Sequence, residues 1–231
     1  MTVENQQPSA EWHTLGTEEV LRRLEVDPNR GLPDAQLGPR LTQYGPNELE
    51  ESQGRRPLAI LIDQFKETMV LILIAAAVIS GALGEVKDTI AILVIVVLNA
   101  LLGFTQEYRA EQAMAALKKL ANPVVKVRRN GAVAKLPASQ LVPGDIVLLE
   151  AGDRIPADAR ILVCIDGEAD ESSLTGESLA VDKTDVAVDR ADAPLGDRSC
   201  MVWMNTTVTR GRIEAIVVAT AMETEMGRIA D

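Results

Sequence analysis

The sequence is poor in the residues that stabilise small secreted proteins and metal sites. It has only two cysteines, Cys164 and Cys200, which lie far apart and give no support for a disulfide framework or a thiolate metal site. We expect both to be small core residues. The single histidine, His13, cannot anchor a metal site alone.

Basic charge is also scarce. The chain has 23 Lys and Arg against 34 Asp and Glu, which gives a net charge of −11. Binding a polyanion requires a basic face that releases counterions. The sequence therefore excludes nucleic acid as a partner, and the acidic excess is typical of a solvated surface.

A secretory signal is missing from the start of the chain. Residues Met1 to Pro8 are polar and lack the basic segment and the apolar run of a signal peptide. We therefore expect the N-terminus to stay in the cytosol.

Two long uncharged runs are present instead. One extends from Thr68 to Gly84 and the other from Thr89 to Gln106. Each is close to the length needed to cross a bilayer, and residues 85–88 leave room only for a tight connection. The pattern predicts a transmembrane hairpin with spans at about 65–84 and 89–106. The alternative is a buried hairpin in a soluble helical protein.

Flanking charges predict how this hairpin is oriented. More basic residues lie at its outer ends than in the connection, which contains only Lys87. We therefore expect an integral, multi-pass membrane protein with both termini in the cytosol. The bases at the outer ends are Arg55, Arg56, Lys66, Arg109, Lys118 and Lys119.

The second span continues past the membrane, because Gln106 to Leu120 is rich in strong helix formers, which predicts a cytosolic stalk. Asn99, deep in that span, is either a hydrogen-bonding contact between helices or part of an ion path, and the first is favoured. Asp63 and Glu67 either attract cations to the first span or are solvated flanking charges, and the second is favoured.

The leader before the membrane predicts two short amphipathic helices. Thr17 is placed to cap the first and Asp34 to cap the second, and Gly45 to Asn47 end the second. Neither helix buries enough area alone, so both must pack on each other or on another domain. Their apolar faces contain Val20, Leu21, Leu24, Leu37, Leu41 and Tyr44.

After the stalk the pattern changes to short β-branched runs. Asn122 and Pro123 end the helix, and Asn130 and Gly131 suit a two-residue hairpin turn. This predicts an all-β domain with strands in two packed layers, a distorted β-sandwich or jelly-roll-like arrangement. Residues 182–197 are charged and aperiodic, which predicts a mobile surface loop. The strand runs are 124–127, 146–149, 160–165 and 213–218.

One segment of this β domain carries candidate chemistry. Thr175, Gly176, Glu177 and Ser178 combine a flexible glycine, two hydroxyls and one carboxylate. Such a turn is able to hold a water molecule against an external electrophile. Alone, it is equally consistent with an ordinary exposed loop.

The order of several motifs resembles the actuator domain of P-type ATPases. The motifs are Val142-Pro143-Gly144-Asp145, then Gly152-Asp153-Arg154-Ile155-Pro156-Ala157-Asp158, then Thr175 to Ser178. The leader, with Tyr44-Gly45-Pro46-Asn47-Glu48, is similar to the cation-transporter N-terminal domain of the type II branch. Gln106 to Glu111 resembles its calcium pumps. The resemblance covers Trp12 to Asp231.

The resemblance implies a specific role for the Thr175–Ser178 segment. In this family another domain forms an aspartyl phosphate from ATP, with Mg²⁺, and the actuator then brings its Thr-Gly-Glu-Ser loop to that phosphate. Glu177 would position and activate the hydrolytic water, while Thr175, Gly176 and Ser178 would shape the loop. The partners implied are membrane lipid, the cation substrate and the remaining pump domains, in the same or a separate chain.

The chain departs from the family pattern at two positions. Ala180 stands where proline is usual, and Asn205 where glycine precedes Thr206. Asparagine is the next best residue for a positive φ, so we expect Asn205 to keep the backbone shape. We expect Ala180 to loosen the loop and slow the reaction.

The phosphorylation motif Asp-Lys-Thr-Gly-Thr is absent from the 231 residues. This predicts a fragment of an ATP-driven cation pump for Ca²⁺ that is inactive alone and holds no cofactor or metal itself. The alternative is a non-catalytic membrane-anchored regulatory or binding module. We expect a mixed fold class. The predicted divisions are a helical leader (1–57), the hairpin and stalk (58–121), the actuator (122–222) and the start of a next stalk helix (223–231).

Overall fold

The computed structural model describes residues 11–49, 57–120 and 123–230, with only the backbone described for 115–120. Predictions that concern Met1 to Pro8, Arg55, Arg56 and Asn122, or the side chains of Lys118 and Lys119, lie outside the described residues. The chain forms two compact units. One joins the leader to the chain from residue 122 onward, and the other comprises residues 51–121.

Seven helices and seven strands are described in chain order. The helices are α1 (Thr17–Leu24), α2 (Asp34–Tyr44), α3 (Pro57–Gln64), α4 (Thr68–Ala82), α5 (Val86–Leu120), α6 (Ser172–Thr175) and α7 (Glu225–Ala230). The strands are β1 (Val124–Arg129), β2 (Ala132–Pro137), β3 (Ile146–Glu150), β4 (Asp158–Asp170), β5 (Val181–Asp182), β6 (Met201–Val202) and β7 (Thr207–Ala219).

Hydrogen bonds join all seven strands into one antiparallel sheet in the order β2-β1-β3-β7-β4-β5, with β6 also paired to β4. The mixed fold class is thus confirmed. The strands predicted to form two packed layers belong to one continuous hydrogen-bonded sheet. Asn130 and Gly131 both have positive φ (49° and 79°), which confirms the predicted β1–β2 turn. Register shifts along β4 and β7 mark bulges that bend the long pair.

The two faces of the sheet carry different cores, because side chains alternate along each strand. On β3 and β7, Val147 and Ala215 belong to a core built by the sheet and its loops. Ile146 and Ile216 point the other way and pack with Val20 and other leader residues. The leader therefore covers one face of the sheet, which confirms that its short helices pack on another domain.

The starts of the leader helices differ from the prediction. Thr17 and Asp34 are the first helical residues, one position after the caps at Gly16 and Pro33, and neither helix start has a side-chain capping bond. Glu18 and Glu19 in the first turn of α1 stabilise it instead, since negative charge favours a helix N-terminus.

Residues 182–197, predicted as a mobile surface loop, lie mostly at the surface but are anchored at several points. Lys183 and Ala193 are buried, and the Val188 N–H donates to the His13 carbonyl at 2.8 Å. The His13 ring Nε2 lies 3.2 Å and 3.1 Å from the carbonyl oxygens of Arg190 and Ala191. The leader therefore anchors this segment, a long-range contact that local composition does not reveal.

In the second unit, α4 starts three residues later than the predicted first span, and α5 starts three residues earlier than the second. Val86 to Asp88 form the first turn of α5, so the connection is shorter than predicted; the Asp88 carboxylate favours that helix start. α3 precedes α4 with a bend of 58°. The stretch Val86–Met114 is long and apolar enough to cross a membrane, and α3 with α4 also qualifies if counted as one bent span.

Both cysteines are free thiols. Cys200 is buried, in agreement with the expected core position, and Cys164 is half-buried against the sheet core.

Candidate functional site

The segment 171–180 leaves and returns to the same edge of the sheet. Strand β4 ends at Asp170, and after the excursion β5 pairs back against it, with Ala169 opposite Val181 and Glu168 opposite Asp182. This antiparallel pairing fixes both ends of the segment. We call its four residues Thr175, Gly176, Glu177 and Ser178 the Thr-Gly-Glu-Ser loop.

Helix α6 at the start of this segment is held to its surroundings. The Glu171 carbonyl oxygen accepts hydrogen bonds from the Leu174 and Thr175 N–H groups, each at 2.9 Å, and from Thr175 Oγ1 at 3.1 Å. The Leu174 side chain packs against a cluster that includes Trp203. Ser173 Oγ donates to the Asn205 carbonyl at 3.4 Å.

Gly176 ends α6 in the left-handed conformation, with φ +77°, while its N–H bonds to the Ser172 carbonyl at 3.0 Å. A side chain at such a φ is strained, so glycine suits this turn. The Glu177 N–H then donates to Thr175 Oγ1 at 3.3 Å. Thr175 and Gly176 therefore set the direction in which the chain presents Glu177.

Glu177 itself is exposed, and its carboxylate makes no hydrogen bond or ion pair within the described ranges. Ser178 next to it is also exposed. An exposed carboxylate on a well-anchored turn is able to accept a proton from, and orient, a water molecule supplied with an external substrate.

The other two motifs stabilise the fold. The Asp145 carboxylate is fully buried and receives Arg129 Nε and Nη2 at 2.7 Å and 2.6 Å. Asp158 receives the Met204 and Glu225 N–H groups, each at 2.7 Å. Burial raises the pKa of the Asp158 carboxyl to about 6.

Asn205 has φ +75°, which confirms that it keeps the backbone shape usual for glycine. Its side chain also contacts the Arg154 guanidinium. Ala180, at the other departure from the family pattern, is exposed.

Sequence reasoning missed two buried polar features. Glu171 and Lys183 form a fully buried ion pair. Asn47, interpreted as the end of a helix and as part of the leader's family motif, donates from Nδ2 to the Ala138 and Pro156 carbonyls at 3.1 Å and 2.9 Å. Its Oδ1 accepts the Ala221 N–H at 2.8 Å. A turn residue predicted only from local pattern gives no signal of partners so distant in sequence.

The candidates for cation access differ in their surroundings. The Asp63 carboxylate accepts from Lys66 Nζ at 2.8 Å, Glu67 is exposed and Asn99 is half-buried on α5. In the part of the chain that the structure describes, no three His, Cys, Asp or Glu side chains could share a metal ion.

Comparisons with known proteins give matches along most of the chain. A family model for the P-type ATPase actuator domain matches residues 119–231, and one for the cation transporter/ATPase N-terminus matches residues 12–80. The calcium-transporting ATPase of Bacillus subtilis is 46% identical over 220 residues, 95% of this chain and 25% of that protein.

Two eukaryotic relatives are similar over the same region. Calcium-transporting ATPase 1 of Saccharomyces cerevisiae is 37% identical over 235 residues, covering 96% of this chain and 24% of its own length. The endoplasmic reticulum-type calcium-transporting ATPase 4 of Arabidopsis thaliana is 40% identical over 231 residues, with shares of 93% and 20%. The chain thus spans a quarter or less of the length of these relatives.

Proposed function

Because this chain belongs to the P-type ATPases and carries the N-terminal region and actuator domain of a calcium-type member, we propose that it acts in an ATP-driven pump for Ca²⁺. Its contribution is to promote hydrolysis of the aspartyl phosphate. The observation that carries the proposal is the exposed carboxylate of Glu177, which has no ion-pair partner among the described residues and lies on a turn set by Gly176.

In the proposed step Glu177 accepts a proton from a water molecule as that water attacks the phosphorus atom. The phosphorus–oxygen bond to the aspartyl group breaks, which releases inorganic phosphate and a free aspartate carboxylate. Thr175, Gly176 and Ser178 hold the turn so that the Glu177 carboxylate faces the phosphate. The complete pump supplies ATP and Mg²⁺, and Mg²⁺ offsets the negative charge of the phosphate.

The remaining pump domains would supply the phosphorylated aspartate. The nearest match in this sequence, Asp182-Lys183-Thr184, continues with Asp185 instead of Gly-Thr, and the Lys183 side chain is buried. We therefore propose that the 231 residues alone form no phosphoenzyme, and that their partners are those domains, in the same or a separate chain.

The second unit is proposed to form the first two membrane spans, with both ends in the cytosol. In support, only 11% of the most apolar stretch of α5 is buried, unlike the core helix of a soluble protein. Lys66 and Arg109 lie near the outer ends, against Lys87 at the connection. Lipid would then cover the apolar side chains of α4 and α5.

The proposal is tested by joining this chain to the phosphorylation, nucleotide-binding and later membrane segments of a close relative. The decay of the phosphoenzyme is then followed with Glu177 and with Glu177→Gln. We expect the substitution to slow decay by about 100-fold or more, the usual contribution of a general base. Asp189→Asn, which removes an exposed carboxylate elsewhere in the same unit, should leave decay unchanged.

If Glu177→Gln and the original protein lose phosphate at the same rate, the loop does not act on the phosphoenzyme. The chain would then be a membrane-anchored regulatory or binding module.

A further inference from the structure

Two buried charged groups remain outside the proposed chemistry. The side chains of Lys183 and Glu171 form an ion pair and are 0% and 1% exposed. Among the described residues, neither charged group has a hydrogen-bond partner apart from this contact. Each charge therefore depends on the other alone.

The positions of the two residues relate them to the Thr-Gly-Glu-Ser loop. Glu171 lies directly before α6, and Lys183 lies directly after β5. The Thr-Gly-Glu-Ser loop lies between these two residues in the chain. The ion pair thus spans the base of the loop, from Glu171 on the loop side of the β4–β5 pairing to Lys183 on its far side.

Both the N–H and the carbonyl group of Lys183 form hydrogen bonds to residues of β4. Its N–H donates to the Gly167 carbonyl at 2.8 Å, and its own carbonyl accepts from Cys164 Sγ at 3.1 Å. The Glu171 carbonyl oxygen, in contrast, accepts hydrogen bonds from the Leu174 and Thr175 N–H groups of α6. The pair therefore connects a rigid strand edge to the turn that presents Glu177.

Net stability does not explain such a pair. Removing two charges from water is costly, and neutral side chains of similar volume are often as stable. An ion pair without other partners instead holds its two side chains in one defined geometry.

We propose that Glu171 and Lys183 are positioning residues that hold the Thr-Gly-Glu-Ser loop in the orientation needed for dephosphorylation. This inference rests on the proposed function of Glu177. Without the pair, α6 keeps its hydrogen bonds to the Glu171 carbonyl, but the residue that bears that carbonyl is free to turn against β4. The Glu177 carboxylate then loses its fixed direction toward the phosphate.

The test compares three variants: Glu171→Met, Lys183→Met and the two together. Each single change leaves one buried charge unpaired, so we expect the melting temperature to fall by roughly 10 °C. The double variant replaces both charges of the pair by apolar side chains and should melt within about 3 °C of the original protein. A matched control, Arg128→Met with Glu214→Gln, removes an ion pair between β1 and β7.

Two readouts separate positioning from stability. In the full 231-residue chain in detergent micelles, hydrogen exchange of the amides at residues 176–180 should be at least about 10-fold faster in the double variant than in the control. In the completed pump, the double variant should lose phosphate about 10- to 100-fold more slowly, as expected when a catalytic group is misplaced. The control should match the original protein in both.

The inference is overturned if the double variant shows the original exchange and the original decay. It is also overturned if exchange rises while decay is unchanged in a pump that Glu177→Gln does slow. If Glu177→Gln has no effect on decay, the proposed function fails, and the exchange measurement alone decides whether the pair holds the loop.

Discussion

Gly176 shows how one backbone conformation directs the proposed chemistry. At φ +77° an added Cβ would meet no atom within 4 Å, so the cost of a side chain is conformational strain and not a clash. We expect Gly176→Ala to lower the free energy of unfolding by about 1 kcal/mol and to slow phosphoenzyme decay. Urea unfolding monitored by tryptophan fluorescence measures the first effect.

Gly38→Ala is the matched control for that measurement. Gly38 lies inside α2 outside the left-handed region, and apart from its chain neighbours a Cβ there would meet nothing within 4 Å. The higher helix propensity of alanine is opposed by crowding from Pro39, so this variant should change stability by less than about 0.5 kcal/mol. If the two alanine variants change stability equally, the strain assigned to position 176 is absent.

The raised pKa of Asp158 makes a pH dependence testable. The carboxyl has a pKa of about 6 in the folded protein, against 3.8 when it is unburied. Folding therefore favours the protonated form, and its contribution to stability is full below pH 3.8 and lost as the pH rises through 6. We expect a loss of about 3 kcal/mol across this window.

Urea midpoints for the original protein and Asp158→Asn, measured from pH 3.5 to 7, isolate this group from other titrations. The difference between the two free energies of unfolding should change across the window. Parallel curves would show that Asp158 has the same proton affinity in the folded and unfolded chain.

At the scale of elements, Asn47 connects the leader to three separate segments that follow the stalk in the chain. It is 4% exposed and bonds Ala138, Pro156 and Ala221. We expect Asn47→Ala to lower the free energy of unfolding by about 3 kcal/mol, because it leaves buried backbone groups without partners. Both tryptophans, Trp12 and Trp203, lie in the unit that contains the leader and the β domain. Their fluorescence therefore reports the unfolding of that unit.

Asn29→Ala provides the comparison, since Asn29 is exposed in the same leader and should change stability by less than about 0.5 kcal/mol. Equal effects of the two substitutions would mean that the Asn47 contacts contribute nothing to the stability of the leader on the sheet.

The elements that the sequence predicted well are those set by local pattern. The turn at Asn130 and Gly131 and the long helix through Gln106 depend on neighbours in sequence, whereas the positive φ of Asn205 was expected from the family pattern. The anchoring of residues 182–197 by His13 was not predictable in this way. Nor was the Glu171–Lys183 pair, because two charges in a polar segment are normally solvated.

At the scale of the whole molecule, the leader and the β domain share a core, so the chain before α3 supports the domain that presents Glu177. Val20 and Leu32, from the leader, are fully buried with Ile146 and Ile216 of the sheet. The order of motifs indicated the family, whereas this shared core required the structure, because a separate leader and β domain are equally consistent with the sequence.

The most direct measurement of the central claim is oxygen exchange between inorganic phosphate and ¹⁸O-labelled water in the completed pump, since exchange requires water to attack and leave the phosphorus atom. We predict that Glu177→Gln lowers the exchange rate by about 100-fold or more while phosphoenzyme formation from ATP persists. Exchange at the original rate in Glu177→Gln would contradict the assignment of this carboxylate to the hydrolytic step.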